Sequence, residues 1–137
     1  IYGDYDVDGT TAVSLVYKYL RAYTSNLDYY IPDRYDEGYG ISTKGIDYAA
    51  EQGVTLIISL DCGIKAIDKI EYAKGKRIDF IICDHHLADD VLPDAVAVLD
   101  AKREDSLFPD AAWVSSSCRR LRQTMVSLFP NWKSCWS

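Results

Sequence analysis

Three aspartates alternate near the start of the chain, within the stretch IYGDYDVDGTTA, and a glycine follows the third of them. Alternating carboxylates followed by a glycine begin the calcium loop of EF-hand proteins. Such a loop needs a bidentate glutamate at its twelfth position, where this chain has Leu15, and it lies between two helices. Here an apolar, strand-like segment precedes the aspartates, so the pattern argues against a calcium sensor. A simpler alternative is a polar turn in which Asp8 caps the following helix.

The same arrangement, polar residues after an apolar segment, occurs twice more. Asp61 follows the segment VTLIISL, and the triplet DHH follows DFIIC. Because parallel strands end on the same edge of a sheet, these groups are expected to converge there. Crowded carboxylates repel one another unless cations lie between them, and carboxylate with imidazole ligands suits Mn²⁺ or Mg²⁺. The side chains expected at this edge are Asp4, Asp6, Asp8, Asp61, Asp84, His85 and His86.

Strand-like and helical segments alternate along most of the chain. Continuous apolar runs in VTLIISL, DFIIC and AVAVLD predict buried strands, and shorter strands are predicted in IYG and LDYYIP. Apolar residues at helical spacing predict helices in TTAVSLVYKYLRAY, in IKAIDKIEYAKGK and between Ser42 and Gly53. This alternation predicts an α/β fold, a Rossmann-like parallel β-sheet flanked by helices on both faces.

Composition places the chain among soluble globular proteins, with 48% hydrophobic residues, 26% charged residues and a net charge of −6. The negative balance argues mildly against a nucleic-acid partner, unless bound cations reverse the local field. No apolar run reaches the roughly 18 residues that span a bilayer, so no membrane association is expected. The cysteines form no CxxC pair, which predicts a reduced, cytoplasmic protein without disulfides. They are Cys62, Cys83, Cys118 and Cys135.

Five segments together resemble the DHH phosphoesterase family. They are YGDYDVDGTTA, IPDRYDEGYGIS, SLDCGI, ICDHH and LPDAVAVLDAKREDSLFP, they occur in the family's order, and they lie within residues 1–109. Within the family they are most similar to the RecJ-like branch of exonucleases specific for single-stranded DNA. The resemblance implies 5′-to-3′ hydrolysis of phosphodiester bonds in single-stranded DNA, in DNA repair or recombination. It also implies two divalent cations, usually Mn²⁺.

The resemblance implies roles for individual residues as well. Asp6 and Asp8 match the family's metal-binding aspartates of the first motif, and Asp4 is a further ligand or a close support. Asp61 matches the ligand of the second motif. With the third motif added, the implied metal ligands are Asp4, Asp6, Asp8, Asp61, Asp84 and His85, and the implied catalytic residues are Asp6, Asp8, Asp61, His85 and His86.

The segment DRYDEGYG resembles the substrate loop of the RecJ-like branch. Arg34 is expected to pair with a phosphate, because its planar guanidinium fits phosphate oxygens. The alternative is an ordinary ion pair with Asp33, Asp36 or Glu37. Tyr39 is expected to stack on a base, with packing under the loop as the alternative. The implied substrate-binding residues are Arg34, Tyr39, Gly40 and His86, the last in contact with the phosphate.

The match to the family ends before the chain does. The family's core continues with a further metal-binding aspartate and a second domain, neither of which is found, so we expect a fragment of a longer protein. Residues 1–109 are predicted to form a partial DHH domain. Residues 110–137 are atypical for the family, and we expect either a reading-frame shift near Asp110 with a disordered tail, or a genuine divergent helix.

Three functions remain open from the sequence. The leading one is a 5′-to-3′ exonuclease on single-stranded DNA, whose activity this chain need not retain. A second is a DHH phosphoesterase that acts on short oligonucleotides, cyclic dinucleotides or pyrophosphate, although the segment IPDRYDEGYGIS favours the first. A third is a non-catalytic remnant that binds a cation without turnover.

Overall fold

Four parallel strands form one sheet, in the order β1-β2-β3-β4, in the computed structural model, which describes residues 1–100. The predicted α/β fold is confirmed, whereas the predictions for residues 110–137 lie outside the described residues. The strands are β1 (Tyr2–Gly3), β2 (Leu56–Leu60), β3 (Asp79–Asp84) and β4 (Ala97–Asp100), and the helices are α1 (Val7–Leu20), α2 (Thr43–Glu51) and α3 (Ile67–Gly75).

The central strands bury both of their faces, as their continuous apolar sequences predict. Along β2, Ile57 packs into one hydrophobic cluster and Ile58 into the other, and the same alternation separates Phe80 from Ile81 on β3. The register is continuous across the sheet, with Ser59 opposite both Tyr2 of β1 and Ile82 of β3. This register brings the carboxyl ends of the strands to one edge.

Helices cover both faces of the sheet. Helix α1 packs Val13 and Val16 against the cluster that contains Ile58, while α2 and α3 pack Ile46 and Ile70 against the opposite cluster. Each fully buried aliphatic side chain of this kind contributes about 1.5–3 kcal/mol. The predicted placement of helices on both faces is therefore confirmed. None of the helices within residues 1–100 is long and apolar enough to cross a membrane.

Helix α1 begins earlier than its apolar stripe indicates, and a different aspartate caps it. Oδ1 of Asp6 accepts a hydrogen bond from the Gly9 amide at 2.8 Å, and the Thr10 hydroxyl donates to the Asp6 carbonyl at 2.7 Å. The interpretation of Asp8 as the cap is therefore wrong. Asp8 lies in the first helical turn, where a negative charge favours the helix N-terminus.

The strand predicted in LDYYIP is reduced to a single bridge, in which Tyr30 pairs in parallel with Tyr2. Strand β1 offers only two residues for pairing, and Pro32 cannot donate to a ladder. The bridge returns the chain from the end of α1 to the carboxyl edge of the sheet. Residues 33–42 therefore lie at that edge before α2 begins at its predicted cap, Ser42, whose side chain accepts from the Gly45 amide.

Candidate metal centre

Three acidic side chains stand at the carboxyl edge, each at the end of a different strand. Asp4 follows β1, Asp61 follows β2, and Asp84 is the last residue of β3. All three are buried, with relative exposures of 0%, 3% and 1%. Buried carboxylates are costly unless partners compensate their charge, so their presence here marks a polar site within an apolar sheet.

Among the described residues, Asp61, His85 and His86 form a group that could hold a metal ion. Each offers one ligand atom, and these atoms lie within 4.8 Å of one another. Nε2 of His85 lies 2.8 Å from Oδ1 of Asp61. The structure therefore brings together one predicted ligand from the second motif and both histidines of the third.

A strained turn directs Asp61 toward this group. Asp61 has a left-handed backbone with φ of 62°, and its amide donates to the Cys83 carbonyl at 2.9 Å. Such a conformation costs about 1–3 kcal/mol for a residue with a side chain. Gly63 follows with φ of 113°, and a Cβ there would lie 2.9 Å from Cδ1 of Ile41. The turn after β2 thus depends on one strained aspartate and one glycine.

Burial perturbs the acids of the site. The pKa of Asp61 is raised to about 6, chiefly by burial; the charges of His85 and His86 act to lower it, and those of Asp6 and Asp84 act to raise it. A carboxylate in this state gains most from a nearby cation, because the cation offsets the lost hydration.

Asp4 is perturbed in the same direction. Burial raises the pKa of Asp4, the Tyr5 amide lowers it, and the charge of Asp6 raises it again. Oδ1 of Asp4 accepts from the Tyr5 amide at 2.7 Å. Within the described residues, Oδ2 of Asp4 is buried and accepts no well-formed hydrogen bond, although the Gly40 backbone and the Tyr39 hydroxyl act to lower the pKa of Asp4. An orphaned carboxylate oxygen of this kind suits a cation ligand.

Asp84 organises the loop that carries the histidines. Its Oδ1 accepts from the amides of His85 and His86 at 2.8 and 3.1 Å and faces Nδ1 of His86 at 2.7 Å. Its Oδ2 accepts from the Ile64 amide at 3.0 Å. The carboxylate therefore joins the turn after β2 to the turn after β3.

His86 has both ring nitrogens engaged. Nδ1 faces the Asp84 carboxylate, and Nε2 lies 3.1 Å from the hydroxyl of Tyr39. Because a carboxylate only accepts, these contacts assign the proton of a neutral ring to Nδ1 and leave Nε2 as the acceptor. Tyr39 thus reaches the site from the loop of residues 33–40.

The aspartates of the first motif differ in their placement. Asp6 is half-buried and caps α1. Its charge acts to raise the pKa values of Asp4 and Asp61. Asp8 is exposed on the first turn of α1. Within residues 1–100 the group of shared ligand atoms does not include the predicted ligands Asp4, Asp6, Asp8 and Asp84.

The loop of residues 33–40 carries Tyr39, Gly40 and Arg34, which the resemblance to the family predicts to bind substrate. Tyr39 is 56% exposed, and its ring meets that of Tyr5 edge-on at 6.1 Å. Burial raises the pKa of Tyr39, and the charges of Asp4 and Asp61 raise it further. Gly40 has φ of 83°.

Arg34 stacks rather than forming the alternative ion pair. Its guanidinium lies 5.6 Å from the centre of the Tyr5 ring. Asp36 pairs with Lys44 at 2.9 Å, and the Glu37 carboxylate accepts from Tyr30. Within residues 1–100, Arg34 forms no ion pair with the carboxylates of its own loop.

The sequence gives little sign of two further acidic groups near the site, of which Asp100 is buried and Glu37 half-buried. Asp100 ends β4 opposite Asp84 and is 5% exposed, but the sequence AVAVLD indicates only a strand. Glu37 accepts hydrogen bonds from the Tyr30 hydroxyl, the Asp33 amide and the Ser42 hydroxyl. Its only sequence signal was membership of a charged loop.

Comparisons with known proteins place this geometry in context. The family model described as "DHH family, N-terminal domain" matches residues 1–124. The chain is 40% identical over 109 residues to the single-stranded-DNA-specific exonuclease RecJ of Bacillus subtilis (strain 168), and 38% identical over 110 residues to that of Escherichia coli (strain K12). Each alignment covers 80% of this chain, but only 14% and 19% of those relatives.

A solved structure matches the fold. The crystal structure of an exonuclease RecJ bound to manganese superposes with a TM-score of 0.71 at 26% identity, covering 82% of this chain and 30% of that one. The chain thus spans less than a third of each of these three proteins.

Proposed function

The chain belongs to the DHH family, and on this basis we propose that it is the metal-binding part of a 5′-to-3′ exonuclease that hydrolyses single-stranded DNA. One observation supports this most directly: Asp61, His85 and His86, from two different strand ends, offer ligand atoms within 4.8 Å of one another. Relatives that act on single-stranded DNA align with 80% of the chain.

The residues at the carboxyl edge fit a divalent cation. We assign Asp61, His85, Asp4 and Asp6 as its ligands, because Asp61 and Asp4 are buried acids and Oδ2 of Asp4 accepts no well-formed hydrogen bond among the described residues. Mixed oxygen and nitrogen ligands favour Mn²⁺ over Mg²⁺, in agreement with the manganese-bound relative. Two ions are expected, with Asp8 as a further predicted ligand. A bound cation supplies Lewis-acid stabilisation of the charge that develops on the phosphate.

The other residues position the histidines and the substrate. Asp84 fixes the two histidines through their amides, and this engagement favours a positioning role over direct ligation. His86 directs Nε2 toward Tyr39, so a substrate phosphate oxygen that took the place of this contact would need a proton on Nε2 as its donor. Arg34 and Tyr39 are exposed on the adjacent loop, where they would bind a phosphate and stack on a base.

The test is degradation of a 5′-phosphorylated single strand by the purified chain, with Mn²⁺ and with a chelator. We expect Mn²⁺-dependent release of products from the 5′ end and little attack on duplex DNA. Activity on pyrophosphate or short oligonucleotides alone would overturn the proposal in favour of the broader phosphoesterase function.

A second candidate function is cation binding without catalysis, because the chain covers only a small share of each relative. A chain that spans 14% of an active relative could bind a cation without turnover. Mn²⁺ uptake in calorimetry, without degradation of any of these substrates, would identify that function. A cytoplasmic location remains a prediction from the cysteine pattern.

A further inference from the structure

Glu37 is the centre of a hydrogen-bond network inside the substrate loop. Its carboxylate accepts from the Tyr30 hydroxyl at 2.9 and 3.0 Å, and from the Asp33 amide at 2.9 Å. The Ser42 hydroxyl donates to its other oxygen. These donors come from the bridge at the sheet edge, the start of the loop and the cap of α2. The Glu37 carboxylate therefore connects the bridge, the start of the loop and the cap of α2.

A pair of stacked tyrosines anchors this network to the sheet. Tyr2 of β1 stacks on Tyr30 with ring centres 5.5 Å apart. The Tyr2 hydroxyl donates to the Gly40 carbonyl at 3.1 Å and accepts from the Ser42 amide at 3.0 Å. Glu37 and Tyr2 thus hold the loop on either side of Tyr39.

The two glycines beside Tyr39 give the loop its shape. Gly38 and Gly40 have φ of 77° and 83°, in the region that favours glycine. With its flanks fixed, the loop carries the Tyr39 hydroxyl to within 3.1 Å of Nε2 of His86. The contact between the loop and the histidine therefore depends on how the flanks are held.

The charge of Glu37 is compensated by this hydrogen-bond network, and Glu37 is not one of the principal charges that act on Asp61. Burial alone would raise the pKa of Glu37, but hydrogen bonds from Ser42, the Asp33 amide and Tyr30, together with the charge of Lys44, hold it below its usual range. The principal charges that act on Asp61 are those of other residues. An ionised Glu37 is therefore satisfied within its own loop.

We propose that Glu37 is a positioning residue, which holds the loop against the Tyr2–Tyr30 pair so that the Tyr39 hydroxyl bonds Nε2 of His86 and fixes the orientation of its ring. Its consequence for turnover rests on the proposed function, whereas the contact itself does not. This role is separate from that of the metal ligands, because Glu37 provides no atom to the group of Asp61, His85 and His86 within residues 1–100.

Nitrogen-15 spectra of the imidazole rings test the proposal without any metal or substrate. The chain contains only two histidines, so each signal can be assigned by replacing one of them. Tyr39→Phe defines the change in the His86 Nε2 signal when the hydroxyl is lost. We expect Glu37→Gln to move this signal at least half as far in the same direction. The matched control, Asp36→Asn, removes an exposed acid of the same loop and should leave it unchanged.

The His85 signal separates a local effect from general unfolding. His85 faces Asp61, so its signal should stay in place in Glu37→Gln. An unmoved His86 signal in Glu37→Gln, beside a clear shift in Tyr39→Phe, would overturn the proposal. If Glu37→Gln fails to fold by circular dichroism, Tyr30→Phe removes one donor but keeps the stacked ring, and the same two outcomes apply. A lack of nuclease activity would leave this result intact.

Discussion

Nε2 of His85 lies 2.8 Å from Oδ1 of Asp61, although the two residues leave the ends of different strands, β2 and β3. The Asp61 amide is also bonded to the Cys83 carbonyl, so the pair is held by backbone as well as by side chains. The fold itself thus sets the geometry of the site. Groups held in place in this way need little reorganisation when a ligand binds.

Removal of Asp61 should disable the site. We expect Asp61→Ala to abolish any nuclease activity and to weaken Mn²⁺ binding by about 10-fold or more, because the remaining acids lose a ligand partner. Calorimetric titration of the whole chain with Mn²⁺ measures the affinity. Asp68→Ala, at an exposed acid on α3, is the control and should bind normally. Equal affinities for the two variants would contradict the assignment.

The same carboxyl should make stability depend on pH in the absence of metal. Burial raises the pKa of Asp61 to about 6, above its ordinary value of about 3.9, so the folded chain binds more protons between these values. The free energy of unfolding should therefore fall by about 1–3 kcal/mol as the pH rises from about 4 to about 7. Asp61→Asn should show a smaller fall, because the raised pKa of Asp4 still contributes, and should be more stable at neutral pH. Denaturant titrations over this range measure it, and identical pH slopes for the two proteins would contradict it.

Asp84 should affect stability and Mn²⁺ binding because it holds the turn that carries His85 and His86. We expect Asp84→Asn to lower the free energy of unfolding by about 1–3 kcal/mol, because the amide nitrogen cannot accept hydrogen bonds from the donors around it. Mn²⁺ affinity should fall by about 10-fold or more, since the histidines lose their support. Asp94→Asn, at a carboxylate that is 87% exposed, should change either quantity little. Wild-type stability in Asp84→Asn would refute the positioning role.

Gly9 allows α1 to approach the first motif. A Cβ at this position would lie 2.5 Å from the Asp4 carbonyl oxygen and 2.7 Å from its nitrogen. We expect Gly9→Ala to lower the free energy of unfolding by about 1–3 kcal/mol, despite the helix propensity of alanine. Gly75→Ala, at the end of α3 with nothing within 4 Å, should be neutral or stabilising by up to about 1 kcal/mol. Thermal or denaturant unfolding compares the two, and equal effects would contradict the close approach.

Much of the fold could be predicted because its signals are local. Consecutive residues alone indicate the apolar strands β2 and β3 and the helix cap at Ser42. These elements therefore appear at the expected places. The approach of Asp61 to the histidines also followed, because the ends of parallel strands share an edge.

The remaining features depend on contacts between distant residues. Asp6 and Asp8 are equally good caps by type, and only the position of α1 against β1 decides between them. Tyr30 has the sequence of a strand residue, but its neighbour β1 offers too short a ladder. Glu37 is one of several acids in its loop, and only the folded chain shows that Tyr30 and Ser42 donate to it.

Cys62 and Cys83 are buried free thiols, and each is the immediate neighbour in sequence of an acid of the site, Asp61 or Asp84. A sulfhydryl reagent can reach either sulfur only when the strand ends separate from the helices packed on them. The rate at which these two thiols are alkylated in the native protein therefore reports how often this edge of the sheet opens. A bound ion or nucleotide that stabilises the edge should lower that rate.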